Sequence, residues 1–174
     1  MITPVIDTTI NSAMISIKNP VLTKLSELIA ITFDTITLTI IALIIATYIF
    51  ITDSRSKSII LAGTMVISGG IIATFKEIFQ RARPLNMLVQ ESNFAFPSGH
   101  ATIAVVFLGL MTYLFSKKES RKQTIAITTA LVIFIGFTRI YLRVHWATDV
   151  LAGFILGATL LLISIRVFEK YRYN

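Results

Sequence analysis

Apolar residues in this chain come in long stretches interrupted by short polar clusters. A helix crossing a hydrocarbon core of about 30 Å needs roughly 20 apolar residues. Five stretches reach or approach that length: Leu28 to Ile51, Ser58 to Phe79, Gly99 to Phe115, Thr124 to Leu142 and Ala147 to Phe168. The residues before them, Met1 to Glu27, are more polar, with a break at Asn19-Pro20 and with Ile2, Val5, Ile6 and Ile10 on one side. Such a stretch fits an amphipathic helix lying in the membrane interface. The pattern therefore predicts an all-α, polytopic membrane bundle of about five transmembrane helices plus an N-terminal interfacial helix. Six spans, with a degenerate one in the N-terminal stretch, is the alternative. The organisation expected is an interfacial segment over 1–27 and one transmembrane domain over 28–174.

Composition supports a membrane protein. Of 174 residues, 55% are hydrophobic, and the mean hydropathy of +0.79 is too high for an ordinary soluble domain. There is no cysteine, which excludes disulfides and thiolate metal sites. The net charge of +7 does not point to nucleic acid, because the basic residues fall between apolar runs, where a membrane protein meets headgroups. The first 17 residues carry no Lys or Arg, so no secretory signal peptide is read there. Nothing in the pattern sets an oligomeric state.

Charge also orients the chain. With five spans, the loops after the second and fourth share a face with the N-terminus. The other face receives Arg55, Lys57, Lys117, Lys118, Arg121, Lys122, Arg166, Lys170 and Arg172, nine of the 16 basic residues. The positive-inside tendency makes that face cytoplasmic and turns the polar clusters outward.

Those clusters carry the candidate chemistry. In Lys76-Glu-Ile-Phe-Gln-Arg-Ala-Arg83-Pro84, Arg83 comes seven positions after Lys76, about two turns, so both point one way if the helix continues that far. They read either as phosphate binders or as snorkelling cations at a helix end. In Phe96-Pro97-Ser98-Gly99-His100, Ser98 is a natural N-cap, Gly99 permits close approach to the backbone, and the free amides of a first helical turn favour an anion. His100 in that turn can donate a proton to a leaving oxygen. A capped helix with an interfacial histidine is the alternative. In the third cluster, Thr138 to Asp149, His145 and Asp149 are four apart. That spacing puts them on one helical face, where the carboxylate fixes the tautomer and frees the other ring nitrogen as nucleophile. A metal site is the rival, but the neighbours are cations, which would repel Zn²⁺ or Mg²⁺. Three cations, a helix N-terminus and two histidines together describe a phosphoryl-transfer centre that uses no metal or other cofactor.

These residues closely resemble the three motifs of the type 2 phosphatidic acid phosphatase (PAP2) superfamily. Lys76, Arg83 and Pro84 match the first, Pro97 to His100 the second, and Arg139, His145 and Asp149 the third; the serine the family places before the arginine is Thr138 here. The resemblance implies a helical core in which His145 is the nucleophile and forms a phosphohistidine that water hydrolyses. It makes His100 the general acid, Asp149 the orienting carboxylate, and Lys76, Arg83, Ser98, Gly99 and Arg139 the phosphate binders. It also implies a membrane lipid phosphate or diphosphate as substrate, such as phosphatidylglycerophosphate, phosphatidic acid or undecaprenyl diphosphate, with vanadate as an inhibitor. The family's usual six spans set the five read here apart in the first 27 residues. A non-catalytic membrane protein that binds anionic lipid headgroups is the alternative function.

Four further features are read as structural. Asp34 is expected to be solvated or capping, and Trp146 an interfacial belt residue. Gly69-Gly70 is expected to permit close helix packing, and Arg81 and Arg143 to be solvated surface cations.

Overall fold

The computed structural model describes residues 4–171, so Ile2 of the predicted amphipathic side and Arg172 of the basic face lie outside it. Seven helices and no strand are found among these residues: α1 Val5–Ser16, α2 Pro20–Thr32, α3 Thr35–Thr52, α4 Arg55–Phe79, α5 Gly99–Phe115, α6 Arg121–Tyr141 and α7 Ala147–Tyr171. Four of them, α3, α4, α6 and α7, are long and apolar enough to cross a membrane, and α5 is a shorter apolar helix. The class is all-α, as the pattern predicts.

The first predicted span is divided. Leu28 to Ile51 is not one helix, because Asp34 ends the run: its Oδ2 accepts from the backbone N–H groups of Ile36 at 2.8 Å and Thr37 at 3.3 Å, so it caps α3. Likewise the Oδ1 of Asn19 accepts from Val21 and Leu22 and Pro20 occupies the first turn of α2, whose fixed φ suits that position. The N-terminal stretch is therefore two helices, and α2 runs across position 27/28. On α1 the apolar Val5 and Ile6 face outward while Asp7 is buried.

Helix α5 sits at the centre, packed against α7, α6, α4 and α3. Its short length follows from that position, since a helix enclosed by neighbours need not match the bilayer itself. The core joins Leu38, Ala42, Ala46 and Ile49 of α3 to Leu61, Met65 and Ile72 of α4 and to Ile103, Val106, Phe107 and Leu110 of α5. The outward faces of α3, α4 and α7 expose Ile36, Ile40, Ile44, Ile59, Val66, Ile155 and Leu162, the apolar exterior that lipid requires. Tyr141 fastens the N-terminal helices to the end of α6: its hydroxyl donates to Asn19 O and accepts from Asn19 N, both at 2.9 Å.

The glycines that allow close packing are not those expected. Gly69 and Gly70 have open space where a Cβ would sit, so they do not bring helices together. Gly153 and Gly157 of α7 do: a Cβ there would come within 2.7 Å of the carbonyl oxygens of Ser98 and Thr102. Gly157→Ala is therefore expected to separate α5 from α7 and cost about 1–3 kcal/mol, read as a lower melting temperature of the detergent-solubilised chain. An unchanged melting temperature would mean that the contact relaxes freely.

Candidate active site

The three polar clusters meet at one end of the bundle, where α4 and α6 finish and α5 and α7 begin. Ser98 N–H donates to Asp149 O at 3.0 Å, which joins the start of α5 to the start of α7. Ser98 also caps α5, its Oγ accepting from Ala101 N–H at 3.4 Å. Gly99 is tight against α3, since a Cβ would meet Thr35 Oγ1 at 2.8 Å. The Cα face of Gly99 is thus packed against a neighbouring helix and not open.

Lys76 and Arg83 do not share a helix face. Helix α4 stops at Phe79, with Gln80 in the left-handed region at φ 42°, and Arg83 lies in the loop beyond it. The two side chains nevertheless converge on one turn of the following loop. Lys76 Nζ donates to Phe94 O and to Asn93 Oδ1, the latter at 3.4 Å. Arg83 Nε donates to Asn93 O at 2.7 Å and its Nη2 to Asn93 Oδ1. Its Nη1 donates to Val144 O and lies 3.3 Å from His145 Nε2.

That last contact decides the tautomer of His145. A guanidinium can only donate, so Nε2 carries the lone pair and the ring proton sits on Nδ1. The proton faces Asp149, although Nδ1 and Oδ2 are 3.7 Å apart, too long for a hydrogen bond. The helical-face expectation fails in its detail, because His145 precedes α7 and only Asp149 is in it. Asp149 occupies the third position of that helix, and its Oδ2 accepts from Trp146 N–H at 2.9 Å, closing the N-terminus in the manner of a capping box. Burial first, then the charges of Arg83, Arg139, Lys76 and His100, hold the His145 imidazole well below its usual pKa. It is therefore neutral at pH 7, with its lone pair on Nε2.

Arg139, in the last turn of α6, is wholly buried. Its Nη2 donates to Glu91 Oε1 at 2.8 Å, while its Nε and Nη1 are buried without a hydrogen-bond partner. Glu91 also lies 3.7 Å from Arg83 Nη2. Thr138 donates its hydroxyl to Ile135 O in its own helix at 2.7 Å and is buried. His100, in the first turn of α5, lies 2.8 Å from Ala30 O through Nε2. A carbonyl only accepts, so this nitrogen holds a proton.

Several participants were not expected. Arg81 is 5% exposed and not a solvated cation, because it bridges Asp7 and Asp149. Arg143 is buried too. Trp146 is anchored, its Nε1 donating to Ala82 O at 2.9 Å. Glu91 and Asn93 fall in a run of four polar residues in the loop, Gln90-Glu-Ser-Asn93, a signal visible in the sequence.

Residues 57–173 match the profile of a family described as the PAP2 superfamily. The chain is 37% identical over 101 residues to phosphatidylglycerophosphatase B of Bacillus subtilis, covering 55% of this chain and 49% of that protein. It is 27% identical over 121 residues to an undecaprenyl-diphosphatase of Sulfolobus acidocaldarius, covering 66% and 56%. The chain thus spans about half the length of the curated relatives it matches. Among solved structures, a transmembrane PAP2-type phosphatidylglycerolphosphate phosphatase from Bacillus subtilis superposes with a TM-score of 0.88 at 28% identity, covering 95% of this chain and 85% of that one. LpxE of Aquifex aeolicus shares the fold, with a TM-score of 0.75 at 21% identity over 92% of this chain and 94% of that one.

Proposed function

Because this chain belongs to the PAP2 superfamily, we propose that it is a multi-pass membrane phosphatase that hydrolyses a lipid phosphate or diphosphate without a metal. The observation that carries this reading is the contact of Arg83 with His145 Nε2 at 3.3 Å. It puts a cation that suits a phosphate beside a neutral, correctly tautomerised nitrogen.

In the reaction, the Nε2 lone pair attacks phosphorus in line with the leaving oxygen. The P–O bond breaks, a P–N bond forms, and a protonated His100 gives its proton to the departing oxygen. Neutral His100 then takes a proton from water as the water attacks phosphorus, the P–N bond breaks, and inorganic phosphate leaves. Lys76, Arg83 and Arg139 carry the charge on the three equatorial oxygens, and the amides at the start of α5, with Ser98 and Gly99, add donors. Asp149 stabilises the positive charge that the His145 ring acquires on attack. Such cations disfavour a bound metal, so no cofactor is assigned.

The substrate class follows from the relatives' names together with the lipid-facing exterior, and the site is proposed to face away from the cytoplasm of the cell membrane, opposite the more basic ends of the helices. A panel of phosphatidylglycerophosphate, phosphatidic acid and a prenyl diphosphate, compared by kcat/KM, identifies the preferred substrate. Equal failure on all three would overturn the lipid phosphatase reading.

The pH profile is expected to be bell-shaped, because His145 must be neutral and His100 protonated. The sign on the acidic side is fixed by His145. Its pKa is depressed, so it stays neutral as pH falls and loses the attacking lone pair only well below 6.5. The acid limb of kcat/KM, which reports the free enzyme, should lie there, and a profile that is flat from about pH 4 to 9 would count against two histidines in these roles.

A further inference from the structure

We infer that Asp7 of α1 and Arg81 of the α4–α5 loop form a buried clamp that positions Asp149 and, through it, His145. Neither residue is one of the matched motif positions: Arg81 is an intervening residue of the first motif, and Asp7 lies on a helix outside the family-matched region 57–173.

The contacts form a closed set. Arg81 Nη1 donates to Asp149 Oδ1 and, at 2.7 Å, to Thr148 Oγ1. Arg81 Nη2 donates to Asp7 Oδ2 at 2.6 Å. Thr148 N–H donates to Asp7 Oδ1 at 3.0 Å, and the Thr148 hydroxyl donates to Asp7 Oδ2 at 2.6 Å. Asp7, Arg81 and Asp149 are respectively 1%, 5% and 0% exposed. Burial raises the Asp7 pKa, but the hydrogen bonds from Thr148 and Arg81 and the charge of Arg81 outweigh it, so the group sits below its usual value and stays ionised.

Two carboxylates and one guanidinium leave a net negative charge, shared between a spectator and a participant. With Oδ1 held by Arg81 and Oδ2 held by Trp146 N–H, the Asp149 carboxylate cannot rotate. It presents one fixed edge to His145 Nδ1. Arg81 also withdraws part of the Asp149 charge from His145, and Asp7 determines how much, because it competes for the same guanidinium. The groups facing His145 are Arg83, Arg139, Lys76 and His100 on the cationic side and Asp149 on the anionic side. Glu91 is held by Arg139. The clamp thus reaches His145 through Asp149, with Thr148 tying the start of α7 to the same pair, and Asp7 and Arg81 are positioning residues.

The role in turnover rests on the phosphatase reading; the electrostatic consequence does not. Asp7→Asn removes a negative charge and leaves Arg81 to Asp149 alone, so the His145 pKa should fall. Arg81→Met frees the Asp149 charge, so it should rise. A purely structural brace would not move one titration in opposite directions.

The test is ¹⁵N NMR of the imidazoles in the full chain in detergent micelles. The chain has 2 histidines, and His100→Gln assigns the signals. The expected order of His145 pKa is Arg81→Met above wild type above Asp7→Asn, each step about half a unit. In parallel, kcat for lipid phosphate should fall about 10-fold in Asp7→Asn with KM within twofold, the scale of losing a supporting contact. Identical titrations in wild type and both variants, or shifts in one direction, overturn the clamp. If Arg81→Met does not fold, Asp7→Asn and Arg81→Lys carry the test: the lysine keeps the charge, so its His145 pKa should stay near wild type while that of Asp7→Asn falls, and equal values in all three overturn the clamp. If the wild type hydrolyses no lipid phosphate, the phosphatase reading falls, while the order of titrations still decides the clamp.

Discussion

His145→Ala is expected to abolish phosphate release from lipid phosphates, lowering kcat by about 10⁴-fold or more, the scale on which loss of a nucleophile is felt. The proposed mechanism has no route around this residue. Water attacking phosphorus directly would keep Lys76, Arg83 and Arg139 but would lack a base aligned opposite the leaving group. The fold should survive. His145 contributes one hydrogen bond, with Arg83 Nη1, and its Nδ1 has no partner within bonding distance. The cost of truncation should be about 1–2 kcal/mol, visible as a modest drop in melting temperature. Binding should survive as well, since the cations remain. The result therefore separates the enzyme from a headgroup-binding protein, which needs the cations and not the imidazole. Undiminished phosphate release in the purified, folded variant would refute the catalytic reading.

Much of this was legible in the sequence, for local reasons. The bounds of α5, Gly99–Phe115, coincide with the predicted third stretch because Ser98 caps it and an apolar run sustains it. Lys76, Ser98, His100, Arg139 and Asp149 likewise lie at helix ends, some of which capping and proline signals mark. What was not legible depended on distant partners. Arg81 looked like a surface cation beside Arg83, yet its partners are 74 and 68 residues away, and only the packing of α1 over the start of α7 brings them together. The same holds for Gly69 and Gly70: a small-residue pair signals close approach only where another helix is present, and none is within reach. The spacing of His145 and Asp149 gave the right neighbours for the wrong reason. The histidine stands outside the helix, and the aspartate is turned toward it while closing the helix end. Lys76 and Arg83 converge through the loop carbonyls of Asn93 and Phe94, contacts that no helical periodicity could show.

Replacing Arg139 is the second change expected to be large. This guanidinium is 0% exposed. It spends Nη2 on Glu91 at 2.8 Å and keeps Nε and Nη1 buried without a partner. Burying donors unpaired is costly, and the arrangement makes sense if an anion with several oxygens completes it during turnover. A transferring phosphoryl group is such an anion, and its equatorial oxygens suit a planar fork. Arg139→Lys keeps the charge and loses the fork, so kcat/KM should fall about 10²–10³-fold, the scale of losing one preorganised transition-state donor. Inhibition by vanadate, whose five-coordinate form resembles the transition state, should weaken in parallel. A drop in substrate affinity alone, with kcat and vanadate inhibition unchanged, would assign Arg139 to ground-state binding. Full activity in the lysine variant would show that charge, and not fork geometry, is what this position supplies. Glu91 makes the contrast sharper. With Arg139 gone it retains Arg83 at 3.7 Å, so the carboxylate is not stranded and the loss measured belongs to the phosphoryl contact rather than to a broken ion pair.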